Sequence, residues 1–103
     1  MPQVKVTAVQ VRPSTDIDFF ESSFNEDINR HIIETYKNTG KLISQEVIYS
    51  DDRLTRIGVK LFDSQESREE LASDAIFRED NLNRTAYNKQ NGITVTVVTE
   101  FLS

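Results

Sequence analysis

Period-two and period-four apolar patterns alternate along this chain, with turn residues at each change of period, and that alternation constrains its fold most. Val4 to Val11 is β-branched and predicts a first strand. Val4, Val6 and Ala8 share one face and Val9 and Val11 the other. A strand apolar on both faces is usually covered on both. Pro13-Ser14-Thr15-Asp16 then supplies turn chemistry. Ser23-Phe24-Asn25-Glu26 has the spacing of a capping box, and Asp27 adds a negative charge at the positive end of the helix dipole. Phe24, Ile28, Ile32 and Tyr36 recur every four residues as one helical stripe, which Thr39-Gly40 stops.

Leu42 to Ser50 predicts a second strand, with Ile43, Val47 and Tyr49 on one face. Asp51-Asp52-Arg53 separates it from a third, Leu54 to Phe62, as in a hairpin. The third strand alternates best, and its pattern points Ile57, Val59 and Leu61 inward and Arg56, Gly58 and Lys60 to the other face. Ser67-Arg68-Glu69-Glu70 is a second capping box. It opens a helix on which Leu71, Ala75, Leu82 and Ala86 share a face, with a break expected near Arg78-Glu79-Asp80-Asn81. Asn91-Gly92 ends that helix, and Ile93 to Phe101 is the last strand. The order β-α-β-β-α-β over 103 residues predicts one α+β domain, residues 1–103. Its architecture is ferredoxin-like: an antiparallel sheet with both helices on one face.

Composition narrows the function. There is no Cys, which excludes disulfides, thiolate metal sites and a Cys nucleophile, and the single His excludes any site needing two His ligands within one chain. With 12 basic against 17 acidic residues the net charge is −5, a poor balance for binding nucleic acid. No apolar run approaches the ~20 residues of a membrane span. Isolated glycines give no phosphate loop, and the acidic pairs Asp16/Asp18, Asp51/Asp52 and Glu69/Glu70 lack the spacing of a cation loop. A soluble, cytoplasmic protein without metal or cofactor is the expectation.

The predicted open sheet face carries Lys5, Thr7, Val9 and Val11, then Glu46 and Ile48, then Arg56, Gly58, Lys60 and Phe62, and finally Thr94, Thr96, Val98 and Glu100. Apolar positions ringed by polar ones suggest a protein contact, and two such faces about a two-fold axis would form an isologous homodimer. Lys5, Arg56 and Lys60 could then pair with Glu46 and Glu100. Three further features are the Gly40 stop before the hairpin, a second helix that breaks, and Tyr87-Asn88-Lys89-Gln90-Asn91-Gly92-Ile93 leading into the last strand. With these the whole chain resembles, in pattern rather than motif, the dimeric α+β barrel proteins. That group includes antibiotic-biosynthesis-type monooxygenases and stress-responsive barrel proteins. The resemblance implies the ferredoxin-like fold, pairing of two sheets as a barrel, and either a small-molecule-binding or assembly module or a cofactor-independent monooxygenase-like enzyme acting on a small apolar or aromatic substrate.

Four residues stand as site candidates. His31, beside the Ile28/Ile32 stripe, could act as a base and Tyr36 could offer a hydroxyl, as the catalytic pair of an enzyme; their ordinary roles are a half-buried helix residue and amphipathic packing. Tyr87 and Arg78 are the candidate ligand contacts, Arg78 because a helix break can border a pocket. The plainer reading of Arg78-Glu79-Asp80 with Arg84 is a solvated charged joint.

Overall fold

A computed structural model describes residues 2–20 and 25–102. The expected capping box begins at Ser23 and Phe24, which lie outside the described residues, as does the Phe24 end of the helical stripe. Strand β1 (Gln3–Val11) leads to α1 (Asn25–Ile32), which continues as a π-helical turn over Ile33–Lys37. The hairpin β2 (Leu42–Tyr49) and β3 (Thr55–Phe62) follows, then α2 (Gln65–Ala72), α3 (Ala75–Asn91) and β4 (Thr94–Leu102). The sheet order is β2-β3-β1-β4, and every neighbouring pair is antiparallel. This is the α+β, ferredoxin-like architecture that the element order predicts.

Local chemistry explains the boundaries. Gly40 (φ 81°) and Gly92 (φ 71°) occupy the left-handed region, and Gly92 caps α3 with its N–H on the Asn88 carbonyl. In the β2–β3 turn, Arg53 also adopts positive φ (63°), and Asp52 Oδ1 accepts from the Leu54 N–H at 3.0 Å and the Ser50 hydroxyl at 2.6 Å. The second helical segment differs from expectation at both of its signals. The cap of α2 is Ser64, whose oxygen accepts from the Ser67 N–H, and not Ser67 itself. The break falls at Ser73-Asp74, with Asp74 capping α3 through the Ile76 and Phe77 N–H groups, so Arg78-Glu79-Asp80 lies inside a continuous helix. A side chain that can satisfy free N–H groups wins over a charged run, because charge alone offers the backbone no alternative partner.

The core holds Val4, Ile28, Ile32, Tyr36, Leu42, Phe62 and Leu71. The predicted α1 stripe is therefore correct over its described part. On α3, by contrast, Leu82 is 68% exposed, while Asp80 and Asn88 are buried.

Register assigns the sheet faces. Residues directly opposite on neighbouring strands share a face. Val4, Val6, Ala8 and Gln10 of β1 stand opposite Phe62, Lys60, Gly58 and Arg56 of β3, and opposite Phe101, Thr99, Val97 and Val95 of β4. The cavities under the helices are lined from this set together with Ile28, Ile32 and Phe77, so it is the helix side. Thus β3 is turned over relative to its predicted phase. Arg56, Gly58, Lys60 and Phe62 lie beneath the helices, and Ile57, Val59 and Leu61 lie on the open face. The reason is that apolar residues have two destinations in this fold, so alternation gives the period of β3 but not its phase. A register shift between Leu42 and Ser44 likewise buries Leu42 and leaves Ile43 exposed.

The open face consequently carries Val9, Val11, Ile48, Ile57, Val59, Leu61 and Val98, with Lys5 opposite Glu100 and Glu46 opposite Val59. The predicted pairing of Arg56 and Lys60 with carboxylates across this face is excluded, because both cations point the other way. No helix among the described residues is long and apolar enough to cross a membrane.

Candidate functional site

Two adjoining cavities, about 180 and 250 Å³, lie between the helices and the sheet. They share Val6, Ala8, Gln10, Lys60, Phe77 and Arg84. The smaller is lined by polar and apolar residues in equal number and the larger mainly by apolar ones, so apolar wall and polar groups meet at the shared residues, as small-molecule sites require. The inward face of α3 builds the roof. Phe77, Asp80 and Arg84 fall at helical spacing, and Arg84 Nη2 donates to Asp80 Oδ2 at 3.2 Å. Asp80 is almost wholly buried. The Arg84 guanidinium also lies 5.5 Å from the centre of the Phe20 ring.

Lys60 forms the floor. Its Nζ sits 5.1 Å from the centre of the Phe77 ring. Burial, followed by the neighbouring charges of Arg84 and Arg56, pulls the Lys60 ammonium from an ordinary 10.5 down to about 8, against an upward pull from Asp80. Gln10 Oε1, on the adjacent strand, is buried without a hydrogen-bond partner among the described residues. An unsatisfied buried acceptor is costly, and a donor on a bound molecule would relieve it.

The sequence candidates fall into three places. His31 and Tyr36 are brought together, but outside these cavities. His31 Nε2 and the Tyr36 hydroxyl both donate to Asp74 Oδ2, each at 2.7 Å, and Thr35 Oγ1 lies 3.4 Å from His31 Nδ1. Burial raises the Tyr36 pKa, and the Asp74 hydrogen bond and the Asp74 and Glu70 charges add to it. For Asp74, burial pushes upward, but hydrogen bonds from His31, Tyr36 and the Phe77 N–H, with the His31 charge, hold the carboxyl below its ordinary range. Asp74 thus ties α1 to the α2–α3 joint while capping α3. Tyr87 and Arg78 do not meet. The Tyr87 hydroxyl donates to the Asp18 carbonyl at 2.6 Å and its ring packs on Phe20, whereas Arg78 is exposed on α3. Among the described residues, no group of three His, Cys, Asp or Glu could hold a metal ion.

Sequence reasoning missed Asp74, although Ser73-Asp74 before Ala75 carries a helix-start signal. It also missed Gln10 and the buried Asp80, and it assigned Lys60 to the wrong face. Nothing local to Lys60 distinguishes the two faces.

A β2-β3-β1-β4 antiparallel sheet with helices on one face defines the ferredoxin-like α+β class. Within that class, the chain has the fold seen in dimeric ferredoxin-like proteins and in an antibiotic-biosynthesis-monooxygenase-like structure. A conserved protein of unknown function from Bacteroides thetaiotaomicron, considered a possible oxidoreductase, superposes with a TM-score of 0.66 at 8% identity, covering 98% of each chain. A dimeric ferredoxin-like protein from an uncultured marine organism gives 0.62 at 9% identity, covering 99% of this chain and 96% of that one. A candidate antibiotic biosynthesis monooxygenase from Deinococcus radiodurans gives 0.58 at 7% identity, covering 94% and 89%. No protein-family model matches the chain, and no curated protein matches it by sequence. At these identities the likeness establishes the fold and leaves the activity to the site.

Proposed function

We propose that the protein is a cytoplasmic homodimer, paired through its open sheet face, that binds a small apolar molecule between helices and sheet. The observation that carries the binding reading is the cavity itself, about 250 Å³ in its larger part and walled by Val6, Phe62, Leu71, Phe77, Val95 and Val97. Pairing is supported by the open face, where seven apolar side chains on four strands have no covering element among the described residues. The dimeric form of the marine ferredoxin-like protein points the same way. Tyr87 would shape the loop at one end of the site, and Arg78 would act from the exposed flank of α3. Native mass spectrometry of gently purified protein tests both parts. A dimer carrying extra mass supports them, whereas a monomer removes the pairing.

One observation favours a second reading, a cofactor-independent monooxygenase-like enzyme with His31 as base and Tyr36 as hydroxyl donor. Both side chains converge on one Asp74 oxygen, and a carboxylate behind a histidine is how a general base is oriented. Binding is preferred because the cluster lines neither cavity described and the Asp74 carboxylate is already occupied as a helix cap. His31→Ala separates the two. An enzyme using this base loses roughly a hundredfold or more in rate, while a binding module keeps its ligand.

A further inference from the structure

We propose that Lys60 is a nucleophilic amine that captures small apolar aldehydes as an imine inside the helix–sheet cavity. The inference rests on the small-molecule-binding reading above and goes beyond it by naming the reacting atom and the ligand's functional group.

The placement is rigid. Lys60 sits on β3, hydrogen-bonded on one side to β1 and on the other to β2, opposite Val6 and Gln45. Its side chain borders both cavities, where an incoming molecule meets apolar wall and amine together. Lysine becomes nucleophilic when it is desolvated or set beside another cation, because both disfavour the ammonium form. Here both apply. Arg56 lies four residues away on the same face of β3, and Arg84 comes down from α3. Asp80 is the carboxylate of the roof, and it is engaged by Arg84. Of the other charged residues at the cavity margins, Arg68 of α2 adds positive charge, and Glu46 of β2 has a register that directs it to the open face. The lowered Lys60 pKa, about 8, agrees with this arrangement.

The chemistry balances without any further reagent. The neutral amine attacks the carbonyl carbon, a C–N bond forms, and the C–O bond then breaks. The carbonyl oxygen leaves as water with the two amine hydrogens, and no redox change occurs. The buried acceptor Gln10 Oε1 on the neighbouring strand could hold the hydroxyl of the intermediate.

The test uses the full-length protein, benzaldehyde and cyanoborohydride at pH 8, with peptide mapping of the reduced adduct. Lys60 should be modified about ten times or more faster than Lys5, Lys37, Lys41 or Lys89, since a larger share of it is neutral at that pH. Lys60→Met should remove that adduct alone. Benzyl alcohol, which has no carbonyl, serves as the companion probe by NMR. If it shifts the Val6 and Phe77 resonances and slows labelling of Lys60, the proposal stands. Shifts of those resonances without preferential labelling overturn the amine proposal but keep the cavity as a binding site. The absence of both overturns the two together.

Discussion

Replacing Lys60 by Met should make the protein more stable, an unusual outcome for a change beneath a helix layer. The magnitude follows from linkage. Lys60 titrates near 8 when folded against an ordinary 10.5, a gap of about 2.5 pH units, and one unit corresponds to ~1.4 kcal/mol. Keeping the ammonium under the helices at pH 7 therefore costs about 3 kcal/mol. Loss of its contact with the Phe77 ring returns ~1 kcal/mol of that, so a net gain of about 2 kcal/mol is expected. Met is unbranched and flexible enough to fill the same space. The sign is checked by pH. Between pH 8 and 10.5 the unfolded chain binds the proton that the folded chain has released, so wild-type stability should rise with pH across that window. In Lys60→Met this rise should vanish. Tyr36 works in the opposite direction, because its folded pKa is raised above 10.0, so its effect begins above pH 10. Urea unfolding at fixed protein concentration, at pH 7, 8, 9 and 10, reads the gain at pH 7 and the Lys60 slope below the range where Tyr36 acts. A variant less stable than wild type at pH 7, with a wild-type profile flat from pH 8 to 10, would refute the claim that this charge is unfavourably buried.

The remaining expectations concern the helix joint and the open face. Asp74→Ala removes the cap of α3 and the shared acceptor of His31 and Tyr36, and should cost roughly 2–4 kcal/mol in denaturant unfolding. Because the folded pKa of Asp74 is depressed, its stabilisation is present in full above 3.8 and is lost as pH falls through the lower folded value. An acid unfolding limb unchanged in the variant would show that the cluster contributes little. Val98→Asp places a charge on the proposed contact, on the edge strand β4, in both subunits. It should break the dimer at a cost on the order of 3–5 kcal/mol per buried charge. A dimer mass unchanged in native mass spectrometry would assign pairing to another surface.

Much of the fold is legible in the sequence because its signals are local. Gly40 and Gly92 mark helix ends because a left-handed residue is needed there. The Ile28, Ile32 and Tyr36 stripe is buried as its spacing requires. The faces of β1 and β4 also follow from alternation. The candidate site was less legible. His31 and Tyr36 lie five residues apart in sequence, but the group that joins them, Asp74, lies 38 or more residues away. No local pattern records such a contact.

The phase of β3, and with it the character of both faces, is set by packing between elements distant in sequence. By itself, the run from Thr55 to Phe62 asks that Ile57, Val59 and Leu61 share one side and Arg56 and Lys60 the other. It does not say which side meets the helices. That choice belongs to the pairing of Phe62 with Val4 and Leu42, three side chains buried together under the helices, which fixes every residue upstream on the strand. A two-residue period determines neighbours absolutely and orientation not at all, so one core contact at the strand's end turned an expected surface lysine into the floor of a cavity.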